Sequence, residues 1–345
     1  MNQLNQCSRD ELTALITAHT KTKLPDLTAW PYPQARAARD EVYGRRVYLR
    51  GLLEITSYCK QNCLYCGLRR ENERAKRYRS TPDEILACCR QGHAIGFRTF
   101  VLQGGEDAAL DDKILCRLVE RIKAEFPDTA LTLSLGERSP GSYKALREAG
   151  ADRYLLRHES ANPDHYSRLH PAKQGWESRR KSLFTLKELG YQVGAGFMVG
   201  SPHQKAEHLA DDLLFLQELQ PHMVGIGPFL PHHATPFAAN PRGSLGQTLL
   251  MLALVRLLLP AALLPATTAL ASLHPQGRIL GLESGANVVM PNLSPPALRE
   301  QYNIYDGKLS TGAEAAQGLT QLKQELEQHG YAPALARGDA KSVDT

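Results

Sequence analysis

The sequence predicts an α/β fold built on a closed parallel (β/α)8 barrel of the TIM type, with an N-terminal helical cap and a C-terminal extension. Eight short apolar or β-branched runs alternate with amphipathic segments along the 345 residues, and eight parallel strands close such a barrel. Polar and glycine-rich sequence follows nearly every run, where the carboxyl ends of the strands would share one rim. A doubly wound open sheet is the alternative.

Residue patterning places the strands and helices along the chain. The predicted strands are 52–56, 98–103, 130–135, 153–157, 192–198, 223–227, 265–269 and 287–290. The predicted helices are 82–94, 112–125, 179–189, 206–219 and 246–259. Thr81 and Glu84 flank a proline at the first helical position and form a capping-box pattern, and Gly190 ends a later helix.

The pattern divides the chain into three parts. Residues 1–46 are expected to form the N-terminal helical cap, 47–300 the barrel and 301–345 the C-terminal extension. The polar end, 337–345, is expected to be frayed.

Composition narrows the class of protein. Hydrophobic residues make up 42% and charged residues 22%, and the net charge is +5, which argues against a dedicated nucleic-acid binder. No basic region followed by an apolar core opens the chain, and the apolar segment 249–264 is interrupted by Arg256 and Pro260. We therefore expect a cytoplasmic protein with no membrane or nucleic-acid partner.

Three cysteines are the most informative feature. Cys59, Cys63 and Cys66 form a C-x3-C-x2-C run directly after the first predicted strand. Three close thiolates can hold three corners of a 4Fe-4S cluster and leave one iron open for a ligand, whereas four cysteines complete an electron-transfer cluster. A zinc site is the alternative, and it would need a fourth ligand such as His93.

A second motif follows the second predicted strand, in the segment Gln103-Gly104-Gly105-Glu106. Glycine lets the backbone approach a ligand closely, and carbonyl and carboxylate oxygens accept hydrogen bonds from an ammonium group. Together the two motifs resemble those of the radical S-adenosylmethionine (SAM) superfamily. The resemblance implies one 4Fe-4S cluster on the three cysteines, which are then the catalytic metal ligands, and SAM as the second cofactor.

Two charged residues are candidates for contacts with SAM. Glu159 ends an apolar strand, where an unpaired charge is costly, so it either binds the ribose or amino group or pairs with Arg153 or Arg157. Arg179 opens the next predicted helix and either binds the methionine carboxylate in bidentate fashion or forms a surface salt bridge. The candidate SAM-binding residues are Tyr65, Gln103, Gly104, Gly105, Glu106, Ser134, Glu159, Arg179 and Met198.

Within the superfamily, five stretches resemble the FeFe-hydrogenase maturase HydE family. They are 62–70 (NCLYCGLRR), 153–159 (RYLLRHE), 185–191 (TLKELGY), 223–229 (MVGIGPF) and 266–269 (ATTA). The resemblance spans roughly residues 50–305 and implies a role in building the dithiolate-bridged diiron unit of the hydrogenase. It also implies an organometallic iron–cysteine substrate delivered by another hydrogenase maturase.

The substrate pocket is expected to be basic and lined by hydroxyl groups, which suits a small molecule carrying a carboxylate. The candidate residues are Thr132, Arg153, Arg157, Thr267, Thr268, Met290 and a late tyrosine, Tyr302 or Tyr305. Threonines satisfied within the core are the alternative.

Residues 69–79 carry six basic and two acidic side chains just past the cysteine loop. A solvated loop is one interpretation. The other is that part of the segment steers an acidic reductant, a flavodoxin or ferredoxin, towards the cluster.

The chain departs from the family in one respect. Many members bind a second cluster through C-terminal cysteines, and no cysteine follows Cys116 in this sequence. The same absence argues against a biotin synthase, which needs further cysteines for a 2Fe-2S cluster. A methylornithine-synthase-like enzyme acting on a small carboxylate remains the alternative, and a non-catalytic zinc-binding module is the rival from another class.

Overall fold

The computed structural model describes residues 3–20, 24–314 and 316–341. The strands are β1 (Arg46–Leu49), β2 (Gly51–Thr56), β3 (Thr99–Gly104), β4 (Ala130–Ser134), β5 (Arg153–Leu155), β6 (Gln192–Ala195), β7 (Met198–Val199), β8 (Met223–Val224), β9 (Gly227–Pro228), β10 (Val288–Val289) and β11 (Ala332–Ala334). The helices are α1 (Arg9–His19), α2 (Tyr32–Tyr43), α3 (Pro82–Ala94), α4 (Asp112–Glu125), α5 (Pro140–Glu148), α6 (Pro163–Leu169), α7 (Trp176–Glu188), α8 (Ala206–Leu219), α9 (Leu245–Leu258), α10 (Thr268–Leu273), α11 (Gly277–Glu283), α12 (Pro296–Arg299) and α13 (Leu319–Gln328).

A parallel sheet forms the centre of the molecule. Six strands pair in the order β2-β3-β4-β5-β6-β8, and all the pairs are parallel. Single parallel bridges extend the pairing beyond β8, from Met223 to Leu263, from Pro265 to Val288, and from Asn292 to Leu52 of β2. The predicted parallel α/β architecture is confirmed. Two further parallel ladders join β10-β1-β11 and β7-β9, and the isolated bridges link the remaining segments.

Two predicted strands are interrupted at the same level. Strand 192–198 divides into β6 and β7, and strand 223–227 divides into β8 and β9. Gly196 has a φ of +150°, and a Cβ there would lie 2.1 Å from the carbonyl oxygen of Gly225. The regular pairing is interrupted here because the backbones of Gly196 and Gly225 approach closely, in a conformation that glycine adopts more readily than other residues.

The prediction of a strand over 265–269 is wrong for its second half. Pro265 forms one parallel bridge, but α10 starts at Thr268 with Thr267 as its N-cap. A short threonine-rich run suits a strand and a helix start equally well, so the local sequence did not decide between them.

The predicted helix boundaries hold to within three residues. Helices α3, α4 and α8 have the predicted limits, and α7 starts three residues earlier than expected. The Thr81 hydroxyl accepts the Glu84 amide, and the Glu84 carboxylate accepts the Thr81 amide (3.3 and 2.7 Å). In the part of the chain that the structure describes, no helix is long and apolar enough to cross a membrane.

Residues 337–341, which belong to the end predicted to be frayed, hydrogen bond to two strands of the central sheet. The carbonyl of Arg337 accepts hydrogen bonds from Thr99 and Arg153 (2.7 and 2.8 Å), and Asp339 pairs with Arg153 (2.6 Å). Thr99 and Arg153 open β3 and β5. The extension therefore packs across the amino ends of the strands, opposite the predicted functional rim. Residues 342–345 lie outside the described residues.

Candidate active site

A cavity of about 310 Å³ lies at the carboxyl ends of the strands. Its wall contains all three motif cysteines and every predicted SAM-binding residue, namely Tyr65, Gln103, Gly104, Gly105, Glu106, Ser134, Glu159, Arg179 and Met198. Four predicted substrate residues, Arg157, Thr267, Tyr302 and Tyr305, line the same cavity. The volume falls at the lower end of the range for small-molecule sites.

The cysteine loop is held in place by its own backbone and by one arginine. The amide of Ser57 donates to the Tyr78 carbonyl (3.0 Å), which fastens the loop at its base. The guanidinium of Arg77 donates to the carbonyls of Ser57, Leu68, Arg69 and Asn72. Arg77 therefore stabilises the loop that carries the cysteines and is not a free surface charge.

The three thiols are not bridged by disulfides. Burial raises the pKa of Cys66 to about 12 and also raises the pKa of Cys59 and Cys63. The backbone amide of Glu106 lies 3.4 Å from the sulfur of Cys59, and the Gln174 side chain lies 3.6 Å from that of Cys63. Buried neutral thiols become ligands only when a metal displaces their protons.

The spacing of the sulfur atoms does not suit a single zinc ion. Tetrahedral zinc–sulfur bonds place the sulfurs about 3.8 Å apart. Among the described residues, His232, His233 and Asp306 have ligand atoms that all lie within 4.8 Å of one another, but the cysteine triplet does not. His93, the suggested fourth zinc ligand, instead pairs with Asp128 (3.1 Å). Neither the sulfur spacing nor His93 therefore supports the zinc alternative.

The group formed by His232, His233 and Asp306 is satisfied within the protein. Nδ1 of His233 lies 2.8 Å from Asp306. Nδ1 of His232 accepts the Ala234 amide (3.0 Å), which places its ring proton on Nε2, the atom that would have to bind a metal. The group therefore joins the 231–234 loop to the C-terminal extension.

The glycine motif packs directly against the cysteine loop. A Cβ on Gly105 would lie 2.3 Å from the carbonyl oxygen of Tyr58 and 2.7 Å from Cβ of Cys59. The Glu106 carboxylate accepts hydrogen bonds from Gln61 (2.7 Å) and from the Glu137 amide (2.9 Å). Because both of its oxygens are used, this carboxylate fastens neighbouring loops together, and the glycine backbone is the part of the motif left to meet a ligand.

Glu159 has an uncommon conformation. Its φ is +65°, its side chain is buried, and its Oε2 has no hydrogen-bond partner among the described residues. Nη2 of Arg157 lies 3.1 Å from that oxygen, but the two groups are not aligned for a hydrogen bond. A buried, under-bonded carboxylate in a strained backbone is typical of a ligand-binding position.

Arg179 forms a buried salt bridge, not the exposed one considered from the sequence. Its Nε donates to Glu137 (2.5 Å) and its Nη1 to the Arg157 carbonyl. Tyr65 hydrogen bonds to His170 (3.2 Å). Both side chains therefore reach the cavity already held by protein partners.

Four predicted substrate residues lie elsewhere. Thr132 and Arg153 border a separate cavity of about 10 Å³, because Arg153 starts β5 and does not share the rim with Arg157. Thr268 donates to Glu314 (2.7 Å). Met290 packs against an apolar cluster that includes Tyr43. The structure does not bring these four side chains to the main cavity.

The structure adds residues that the sequence did not suggest. Gln61, Gln174 and Ile304 line the cavity. Gln174 lies in an irregular loop between α6 and α7, where no periodic pattern marks it. The Ile304 carbonyl accepts the Gly67 amide (3.0 Å), so the C-terminal extension closes against the cysteine loop through contacts between residues far apart in the sequence.

Comparisons with known proteins agree with this geometry. The sequence profile described as the radical SAM superfamily matches residues 53–216. The chain is 45% identical over 305 residues to the "[FeFe] hydrogenase maturase subunit HydE" of Thermotoga maritima, covering 88% of this chain and 87% of that protein. It is 28% identical to a 3-methylornithine synthase of Methanosarcina acetivorans, covering 95% and 91% of the two chains. The crystal structure of methylornithine synthase (PylB) superposes with a TM-score of 0.79 at 27% identity, over 95% of this chain and 94% of that one.

Proposed function

Because this chain belongs to the radical SAM superfamily and, within it, to the HydE hydrogenase maturases, we propose that it cleaves SAM to a 5′-deoxyadenosyl radical during maturation of the FeFe-hydrogenase diiron cluster. One observation carries the proposal. The three motif cysteines, the glycine motif and the under-bonded Glu159 line the same cavity, which is the arrangement that a cluster and a ligand bound to it require.

Cys59, Cys63 and Cys66 would hold a single 4Fe-4S cluster. Such a cluster, when bound, carries SAM on its open iron and supplies the electron that breaks the bond between sulfur and C5′. Of the cysteines that the structure describes, these three line the cavity, and no cysteine follows Cys116 in the sequence. The thiols need to lose their protons as the cluster assembles, because burial raises the pKa of Cys66 to about 12.

The remaining polar groups of the cavity suit SAM and a small anionic substrate. The backbone of Gly104 and Gly105 is placed to meet the methionine part of SAM, and Glu159 to accept from its ribose or amino group. Arg157 and Thr267 have buried polar atoms without hydrogen-bond partners among the described residues, although the Arg157 guanidinium forms an ion pair with Glu159 (3.1 Å). These atoms, with the hydroxyls of Tyr302 and Tyr305, would bind an iron–cysteine compound or another small carboxylate.

A reductant is proposed to dock at the basic segment 69–79. Arg69 and Arg79 pair with Glu71 and Asp107 (2.9 and 2.6 Å), and Arg77 binds loop carbonyls. Arg70 lies 4.0 Å from Glu71 but its side chain is 65% exposed, and Arg74 and Lys76 are exposed as well. These three are the charges on which an acidic flavodoxin or ferredoxin would act.

Replacing Arg70, Arg74 and Lys76 together with glutamine should slow reduction by flavodoxin about 10-fold at low ionic strength, because electrostatic steering accelerates encounter. Stopped-flow reduction measures this rate. The matched control replaces the exposed Lys113, Arg117 and Lys181, which removes the same charge from helices α4 and α7. Equal effects of the two triple variants, or a wild-type rate independent of salt, would exclude docking at this segment.

The methylornithine-synthase alternative rests on the shared architecture, but 28% identity to that enzyme is well below 45% identity to the HydE protein. A maturation assay separates the two functions. The reconstituted protein should restore hydrogenase activity to a maturation mixture from which HydE alone has been omitted. A mixture that stays inactive while the protein forms 3-methylornithine would assign it to the alternative.

A further inference from the structure

The conformation of Glu159 requires support from its surroundings. A left-handed backbone at a residue with a side chain is unfavourable, and the φ of Glu159 is +65°. Its amide donates to the Gly196 carbonyl (3.0 Å) and its carbonyl accepts from the Met198 amide (3.4 Å). These two bonds fix the peptide groups, but they do not explain what holds the turn on either side.

A buried histidine and a buried aspartate hold both sides of that turn. Nδ1 of His158 accepts the Gly196 amide (3.2 Å), so the ring carries its proton on Nε2. Nε2 lies 3.2 Å from Oδ1 of Asp212 on α8. The same Oδ1 accepts the amide of Ala161 (2.6 Å). A single carboxylate oxygen therefore binds the residue before Glu159 and a residue two positions after it.

The pair is sealed from solvent and from the cavity. Both side chains are fully buried, and the rings of Phe215, Phe197 and Trp176 surround His158, with centroids 4.9, 5.7 and 6.3 Å away. Burial lowers the pKa of His158 and raises that of Asp212, so the ring stays neutral. Neither residue lines the cavity, which means that the pair can act on a ligand only through the turn.

We propose that His158 and Asp212 are positioning residues that hold the carboxylate of Glu159 in place for SAM. The inference deepens the proposed function and rests on it, since Glu159 matters only if SAM binds in the cavity. The alternative is that the pair stabilises the fold alone. If the pair positions Glu159, replacing the pair changes the KM for SAM only while Glu159 is present. If the pair stabilises the fold alone, the change does not depend on Glu159.

The first test is a set of single variants, assayed by anaerobic SAM cleavage of the reconstituted protein. Glu159→Gln should raise the KM for SAM roughly 10-fold, because a charge-assisted hydrogen bond is lost. Asp212→Leu should raise it about 5-fold or more, because the carboxylate of Glu159 is then misplaced. Asp212→Asn should restore nearly the wild-type KM, since its amide oxygen can accept both bonds that Oδ1 accepts. The iron content and kcat should stay close to those of the wild type.

The decisive test is a double-mutant cycle. In the Glu159→Gln background, Asp212→Leu should raise the KM no further. If Asp212→Leu does not fold, His158→Phe replaces it in the cycle, because it keeps the aromatic packing and removes both ring hydrogen bonds. Tyr191→Phe is the control, as it removes a buried hydrogen bond to the Tyr143 carbonyl (2.6 Å) that does not involve the turn at Glu159, and should leave the KM unchanged.

The outcomes separate the two proposals. Additive effects in the cycle, or a KM raised equally by Tyr191→Phe, would reduce the pair to a structural role and overturn the inference while leaving the proposed function intact. A wild-type protein that holds four irons but does not cleave SAM would overturn both.

Discussion

Replacing Cys63 with alanine is expected to abolish both the iron–sulfur absorbance and the reductive cleavage of SAM. Cys63 shares the cavity with Cys59 and Cys66, and no other cysteine among the described residues lines that cavity to take its place. Two thiolates do not hold a cubane cluster that needs three protein ligands. The loss should be complete, with 5′-deoxyadenosine falling to the level found without enzyme.

The matched control is Cys116→Ala. Cys116 lies on α4 and is half-buried, away from the cavity, so this variant should retain the colour, the iron content and the activity of the wild type. SAM cleavage that survives in Cys63→Ala would contradict the assignment of the cluster to these cysteines.

Replacing Gly105 with alanine should lower kcat/KM for SAM cleavage at least about 100-fold, because the new Cβ overlaps backbone that cannot move aside easily. It would lie 2.3 Å from the Tyr58 carbonyl oxygen and 2.7 Å from Cβ of Cys59. The two loops would separate, and both the cluster ligand and the glycine backbone would shift. Iron content and SAM binding by calorimetry measure the two parts of the effect.

Gly141→Ala is the control for a methyl group added to glycine. Gly141 lies in α5, and a Cβ added there would be 3.9 Å from its nearest neighbour, Oγ of Ser139. We expect wild-type activity from this variant. If Gly105→Ala were equally active, the close contact between the glycine motif and the cysteine loop would have no role in the site.

Local signals explain how much of the fold could be predicted. Helices α3 and α4 have the predicted limits because the caps Thr81 and Asp111 and the apolar periodicity act over a few neighbours. The strand predicted over 265–269 failed because a threonine-rich run suits two conformations. The packed end at 337–341 depends on Thr99 and Arg153, which are nearly 200 residues or more away in the sequence, and no local pattern reports such contacts.

The same distinction explains the site. Most of the predicted cofactor-binding residues lie at or just after the end of a strand, and they meet in one cavity because parallel strands bring their carboxyl ends to one rim. To place the substrate residues, the length of each strand would also have had to be known. β5 ends at Leu155, and this leaves Arg153 and Arg157 at different levels of the molecule, although four residues of extended strand would have put them on one face.

The most direct measurement is the metal content of the anaerobically reconstituted wild-type protein, together with its formation of 5′-deoxyadenosine from SAM and a reductant. We expect about four irons per chain, no zinc, and 5′-deoxyadenosine formed only when both SAM and the reductant are present. A colourless protein that holds one zinc per chain and leaves SAM intact would contradict this expectation.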